Sequence, residues 1–109
     1  MNDKTFEREI VLQKAILTYG KESQVDMAIE EMSELTKALL KERRNEKTEV
    51  IKSSAPLQFI LNIIEEIADV EIMLEQLKMI FDCESQVDEM KSYKIERLQG
   101  MLENENYSK

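Results

Sequence analysis

The chain has 109 residues and a mass of 12.8 kDa, room for one core, so it reads as a single domain over 1–109. With 35% charged residues, 42% apolar residues, two glycines and one proline, it is composed like a set of long helices, which excludes an all-β architecture. Twenty-three acidic against 15 basic side chains give a net charge of −8, which excludes a general grip on a nucleic-acid polymer, and the absence of histidine excludes imidazole chemistry and His-ligated metal sites.

Any chemistry must therefore run on carboxylates. The single cysteine, Cys83, cannot close a disulfide within the chain. The start MNDKTFERE carries no apolar signal segment, so a cytoplasmic location is expected. Every apolar run is broken by charge well before the roughly 18 residues a membrane span needs, so no membrane partner is expected.

In chain order, Phe6, Ile10, Ile16 and Leu17 recur at helical spacing and predict a first helix over about 5–19, closed by Gly20. Ser23 with Asp26 three residues on reads as a cap for a second helix, which Val25, Ala28, Ile29, Met32, Leu35, Leu39 and Leu40 carry to about Arg44. Residues 45–56 lose the period and end at Pro56, so a loop is expected there.

The most apolar element follows from Leu57 to Phe81. The string Glu84-Ser85-Gln86-Val87-Asp88 then repeats residues 22–26 letter for letter, which signals a second helix start of the same kind. A fourth helix is expected over about 86–102, with 103–109 a frayed polar tail. The expectation is an all-α bundle of about four helices with the long second and third antiparallel. The excess apolar circumference of the third helix predicts a homodimer or a tetramer built from dimers.

On the third helix, Glu71, Glu75 and Lys78 form a solvated edge at 100° per residue, while Asn62, Glu66 and Asp69 share nearly the opposite side with Phe59 and Met73. Carboxylates on a face that must be buried are costly unless paired or bound to a cation. The second helix carries Glu30, Glu31 and Glu34 beside its apolar face. Taken alone these three read as a solvated edge supported by Lys37 and Lys41, the better reading for them without the third helix. If Glu31 and Glu34 face Glu66 and Asp69, four carboxylates converge, and oxygen-only ligands point to Mg²⁺, with Mn²⁺ as a substitute.

Glu30-Glu31-Met32-Ser33-Glu34 and Glu65-Glu66-Ile67-Ala68-Asp69 resemble the two signature blocks of the MazG-like, all-α nucleoside triphosphate pyrophosphohydrolases, E-E-x-x-E and E-x-x-D. The likeness extends over about residues 23–102, and Lys91, Tyr93, Lys94 and Arg97 look like the basic fourth helix of the smaller phage and bacterial members. The 31 residues between Glu34 and Glu66 are at the long end of the family's interval. No aromatic-rich segment resembles the base-selecting parts of the dUTP- or dCTP-specific relatives.

The resemblance implies the all-α NTP pyrophosphatase fold, with Glu31, Glu34, Glu66 and Asp69 binding Mg²⁺ that bridges a nucleoside triphosphate substrate. Hydrolysis between the α and β phosphates gives a monophosphate and pyrophosphate. The cations neutralise phosphate charge and lower the pKa of a bound water, whose proton a carboxylate can accept. Glu30 or Glu65 are the candidates for orienting that water, and Asn62, Lys94 and Arg97 for holding substrate. Surface pairing is the competing reading for Lys94 and Arg97. A non-catalytic helical interaction or regulatory module, release of orthophosphate, and an alarmone substrate stand as alternatives.

Overall fold

The computed structural model describes residues 3–48 and 55–108, which form four α-helices in chain order. Helix α1 spans Asp3–Tyr19 and stops at Gly20, whose φ of 91° lies in the left-handed region that a side chain resists. The Gly20 N–H donates to the Ile16 carbonyl at 2.9 Å, which satisfies one of the carbonyls the helix end leaves open.

Helix α2, Lys21–Thr48, starts on the next residue, and the Gly20 carbonyl accepts from the Gln24 N–H at 3.1 Å. Gly20 thus ends one helix and caps the next. Ser23 is consequently inside the first turn of α2 and not its cap, a correction to the sequence reading. Part of the expected 45–56 loop is also helical, since α2 runs to Thr48 and α3 begins at Ala55; residues 49–54 of that expectation lie outside the described residues.

Helix α3 spans Ala55–Ile80, with Pro56 in the first turn, where a missing N–H costs no hydrogen bond. Its C-terminus is a Schellman turn: the Cys83 N–H donates to the Lys78 carbonyl at 3.0 Å, the Asp82 N–H donates to the Met79 carbonyl at 3.3 Å, and Asp82 takes φ 49°. The Cys83 carbonyl then accepts from Val87 at 2.9 Å and opens α4, Glu84–Ser108. The repeated five-residue string therefore lies in the first turns of both α2 and α4, as expected of two helix starts. The expected frayed tail is helical through residue 108.

Helices α2 and α3 form the long hairpin at the centre of the molecule, α1 lies against both, and α4 touches only α3. On α2 the inward row is Gln24, Ala28, Glu31, Leu35 and Ala38, at intervals of three and four residues. On α3 it is Glu66, Asp69, Val70, Met73, Gln76 and Leu77. Only Ala28 (1% exposed) and Met73 (5%) are fully buried apolar residues among those described.

The sequence expectation that α3 buries much of its circumference is not met within one chain. Ile60, Leu61 and Ile64 are at least half exposed. The radius of gyration is 18.4 Å, against about 13 Å for a compact chain of this length. No described helix is long and apolar enough to cross a membrane.

Candidate metal centre

Midway along the α2–α3 hairpin, one turn beyond Ala28, the inward position of α2 is taken by Glu31. Across from it α3 presents Glu66 and Asp69, three residues apart and so on the same side of the helix. One carboxylate oxygen from each of the three lies within 4.8 Å of the other two, and all three residues are half-buried. Among the described residues, none of the three forms an ion pair with lysine or arginine.

The electrostatics follow from this crowding. Burial pushes the Glu31 carboxyl above its ordinary value, and the charges of Asp69, Glu66, Glu34 and Glu30 push it further. Burial likewise raises Glu66, followed by the charges of Asp69, Glu34 and Glu65. Oε2 of Glu66 is shut off from solvent without a hydrogen-bond partner. A carboxylate oxygen in that state is costly, and the remedies are a shared proton or a cation.

The donor set fits a hard divalent cation. It is oxygen-only and carries up to three negative charges, and it has a shielded oxygen aimed at no protein donor. Along the same two helices Ala28 and Met73 are buried and Leu35 and Ile63 half-buried.

Glu34, the fourth expected ligand, lies on the exposed edge of α2. Its Oε1 accepts from Lys37 Nζ at 3.4 Å, although its charge still reaches both Glu31 and Glu66. Glu30 and Glu65 are exposed and adjoin the two clustered glutamates. Asn62, one turn before Glu66, is also exposed, and its Oδ1 accepts from Gln58 Nε2 at 3.1 Å. Lys94 and Arg97 are exposed on α4, which does not approach α2, and neither is among the charges that Glu31 and Glu66 feel. A single chain brings neither of them to the carboxylates.

Sequence reasoning missed two buried amides, Gln24 on α2 and Gln76 on α3, at 5% and 4% exposure. The Gln76 Oε1 has no hydrogen-bond partner. Its position seven residues after Asp69, two helical turns along the same side, was the available signal. The basic edge of α2, of which the sequence named Lys37 and Lys41, is completed by Arg44, and the three line a shallow groove with Leu40. Its signal was the i, i+4, i+7 spacing directly after Glu34.

Compared with known proteins, the chain matches no family model, no curated protein and no solved structure.

Proposed function

We propose that this protein is a MazG-like nucleoside triphosphate pyrophosphohydrolase, dependent on Mg²⁺ or Mn²⁺. It cleaves the anhydride between the α and β phosphates of a (d)NTP and serves nucleotide-pool housecleaning in the cytoplasm. The observation that carries this reading is the convergence of Glu31, Glu66 and Asp69 within 4.8 Å on the two helices that bear the E-E-x-x-E and E-x-x-D blocks.

Glu31, Glu66 and Asp69 would hold the cation, with Glu34, paired to Lys37, as a candidate further ligand. When bound, Mg²⁺ would supply charge neutralisation for the triphosphate and lower the pKa of water. Glu30 and Glu65, exposed and next in sequence to the ligands, would serve as proton acceptors for the attacking water, so the reaction would need no imidazole. The net charge of −8 repels a free triphosphate, so its approach depends on cations. Lys37, Lys41 and Arg44 supply fixed ones on the same helix, and Asn62 lies one turn from Glu66 for contact with sugar or phosphate. Lys94 and Arg97 join the substrate only if α4 comes from another copy in the homodimer or dimer of dimers in which we expect the protein to act.

The test is product analysis. Purified protein is incubated with each common NTP and dNTP and Mg²⁺, resolving pyrophosphate from orthophosphate, with Glu66→Gln/Asp69→Asn as control. Pyrophosphate and monophosphate from wild type alone support the reading. Orthophosphate release, or no turnover of any of them, counts against it and favours the non-catalytic module.

A further inference from the structure

We infer that the basic edge of α2 is a track for a phosphate tail: Lys37, Lys41 and Arg44 bind the terminal phosphates of a substrate whose first phosphate lies at the carboxylates, and so select for chain length. The inference rests on the proposed activity for the position of that first phosphate. It adds the direction in which the substrate lies and the residues that tell a triphosphate from a monophosphate.

The charge along α2 changes sign within a few residues. Glu30, Glu31 and Glu34 are followed over residues 37–44 by four basic side chains, Lys37, Lys41, Arg43 and Arg44, against one acidic, Glu42, in a chain whose net charge is −8. At 100° per residue Glu34, Lys37, Lys41 and Arg44 fall on one side of the helix. All four are exposed, and the three basic ones line one groove with Leu40. The helix macrodipole does not account for Lys37 and Lys41, since its effect is confined to the last turn and α2 runs on to Thr48. Lys94 and Arg97 do not compete for this role within one chain, because α4 does not approach α2.

The spacing suits a chain of phosphates running away from the carboxylates. At about 1.5 Å per residue, Lys37 stands about 9 Å beyond Glu31 along the helix axis, Lys41 about 15 Å and Arg44 about 20 Å. Of the three, a lone phosphate at the carboxylates is near only Lys37, whose Nζ is 3.4 Å from Glu34 Oε1. Each further phosphate carries negative charge towards Lys41 and then towards Arg44, whose planar fork suits a terminal phosphate. The Lys37–Glu34 pair does not close the track, because its side chains are 69% and 52% exposed and a pair so exposed exchanges readily. In a triphosphate lying this way, the β and γ phosphates, which leave together as pyrophosphate, are the ones these residues hold.

Isothermal titration calorimetry with inorganic phosphates tests this, at saturating Mg²⁺ and fixed ionic strength. The proteins are wild type, Lys41→Gln/Arg44→Gln and the charge-keeping Lys41→Arg/Arg44→Lys. The substituted side chains are exposed and glutamine suits a helix, so the fold is retained. Wild type should bind tripolyphosphate at least about tenfold more tightly than orthophosphate, and the glutamine variant should lose about tenfold for tripolyphosphate alone. The charge-keeping variant should retain most of the affinity, and Mn²⁺ uptake should be the same in all three. A wild type that binds tripolyphosphate no better than orthophosphate overturns the inference, and so does a glutamine variant with wild-type affinity.

Failure of the proposed activity reads differently. If wild type hydrolyses no nucleotide yet binds tripolyphosphate through Lys41 and Arg44, the track stands and the hydrolysis does not. If wild type hydrolyses NTP and the glutamine variant keeps both its KM and its tripolyphosphate affinity, the hydrolysis stands and the track falls.

Discussion

Glu31 on α2 and Glu66 on α3 present carboxylate oxygens within 4.8 Å of each other inside a helix pair, and Oε2 of Glu66 is shielded from solvent with no donor. Two like charges in that position work against the fold that brings them together, and Asp69 adds a third. Such an arrangement is costly to the metal-free protein unless a ligand offsets it.

The first expectation is that neutralising the centre stabilises the metal-free protein. Glu66→Gln keeps the shape, removes one charge and offers an amide to the neighbouring carboxylates. At pH 8 in EDTA and fixed protein concentration, its melting temperature should exceed that of wild type, on the order of a few degrees. A lower one would mean that Glu66 has a stabilising partner in the metal-free state.

The second concerns pH. Glu31 and Glu66 both titrate above the ordinary 4.5 in the folded chain. The folded state therefore binds protons more tightly than the unfolded one, so ν_U − ν_N is negative and stability falls as pH rises from 4.5 through the raised values. Saturating Mg²⁺ replaces those protons and should flatten the decline. Urea midpoints at a series of pH values, with and without Mg²⁺, check this.

The third concerns the hairpin around the centre. Met73 is one of two fully buried apolar side chains, so Met73→Ala should cost about 2–3 kcal/mol by loss of transfer energy and cavity formation. Gln76→Met, which fills similar volume and removes a buried oxygen without a partner, should instead gain about 1 kcal/mol. Chemical denaturation resolves both, and destabilisation by Gln76→Met would reveal a polar partner for that amide.

The fourth concerns the two turns. A Cβ at Gly20 meets nothing within 4 Å, so Gly20→Ala isolates the strain of φ 91° and should cost about 1 kcal/mol or more. Asp82 at φ 49° is already strained, and Asp82→Gly should be neutral or stabilising by about 0.5 kcal/mol. Equal effects in the two positions would contradict this account of the helix ends.

Helix count, order and approximate bounds were legible because apolar residues at three- and four-residue intervals mark helices irrespective of their surroundings. Glu66 and Asp69 were legible for the same reason, since the angle between them and the solvated Glu71 edge needs no tertiary knowledge. The start of α2 was not, because Gly20 caps both helices through its backbone, and a capping carbonyl leaves no trace in residue type. Glu34 was placed with Glu31 by spacing, yet 100° per residue separates an inward glutamate from an edge one only when the partner helix is known. Lys94 and Arg97 were grouped with the site by resemblance; the course of α4, which no local pattern encodes, keeps them from it within one chain.

The central claim, that the three carboxylates form a divalent cation site, is tested most directly by titrating Mn²⁺ into metal-free protein and following the loss of the free-ion paramagnetic resonance signal. Wild type should remove Mn²⁺ from solution at a saturable site that Mg²⁺ displaces, and Glu31→Gln/Asp69→Asn should not. Equal uptake by wild type and variant, or none by either, would contradict it.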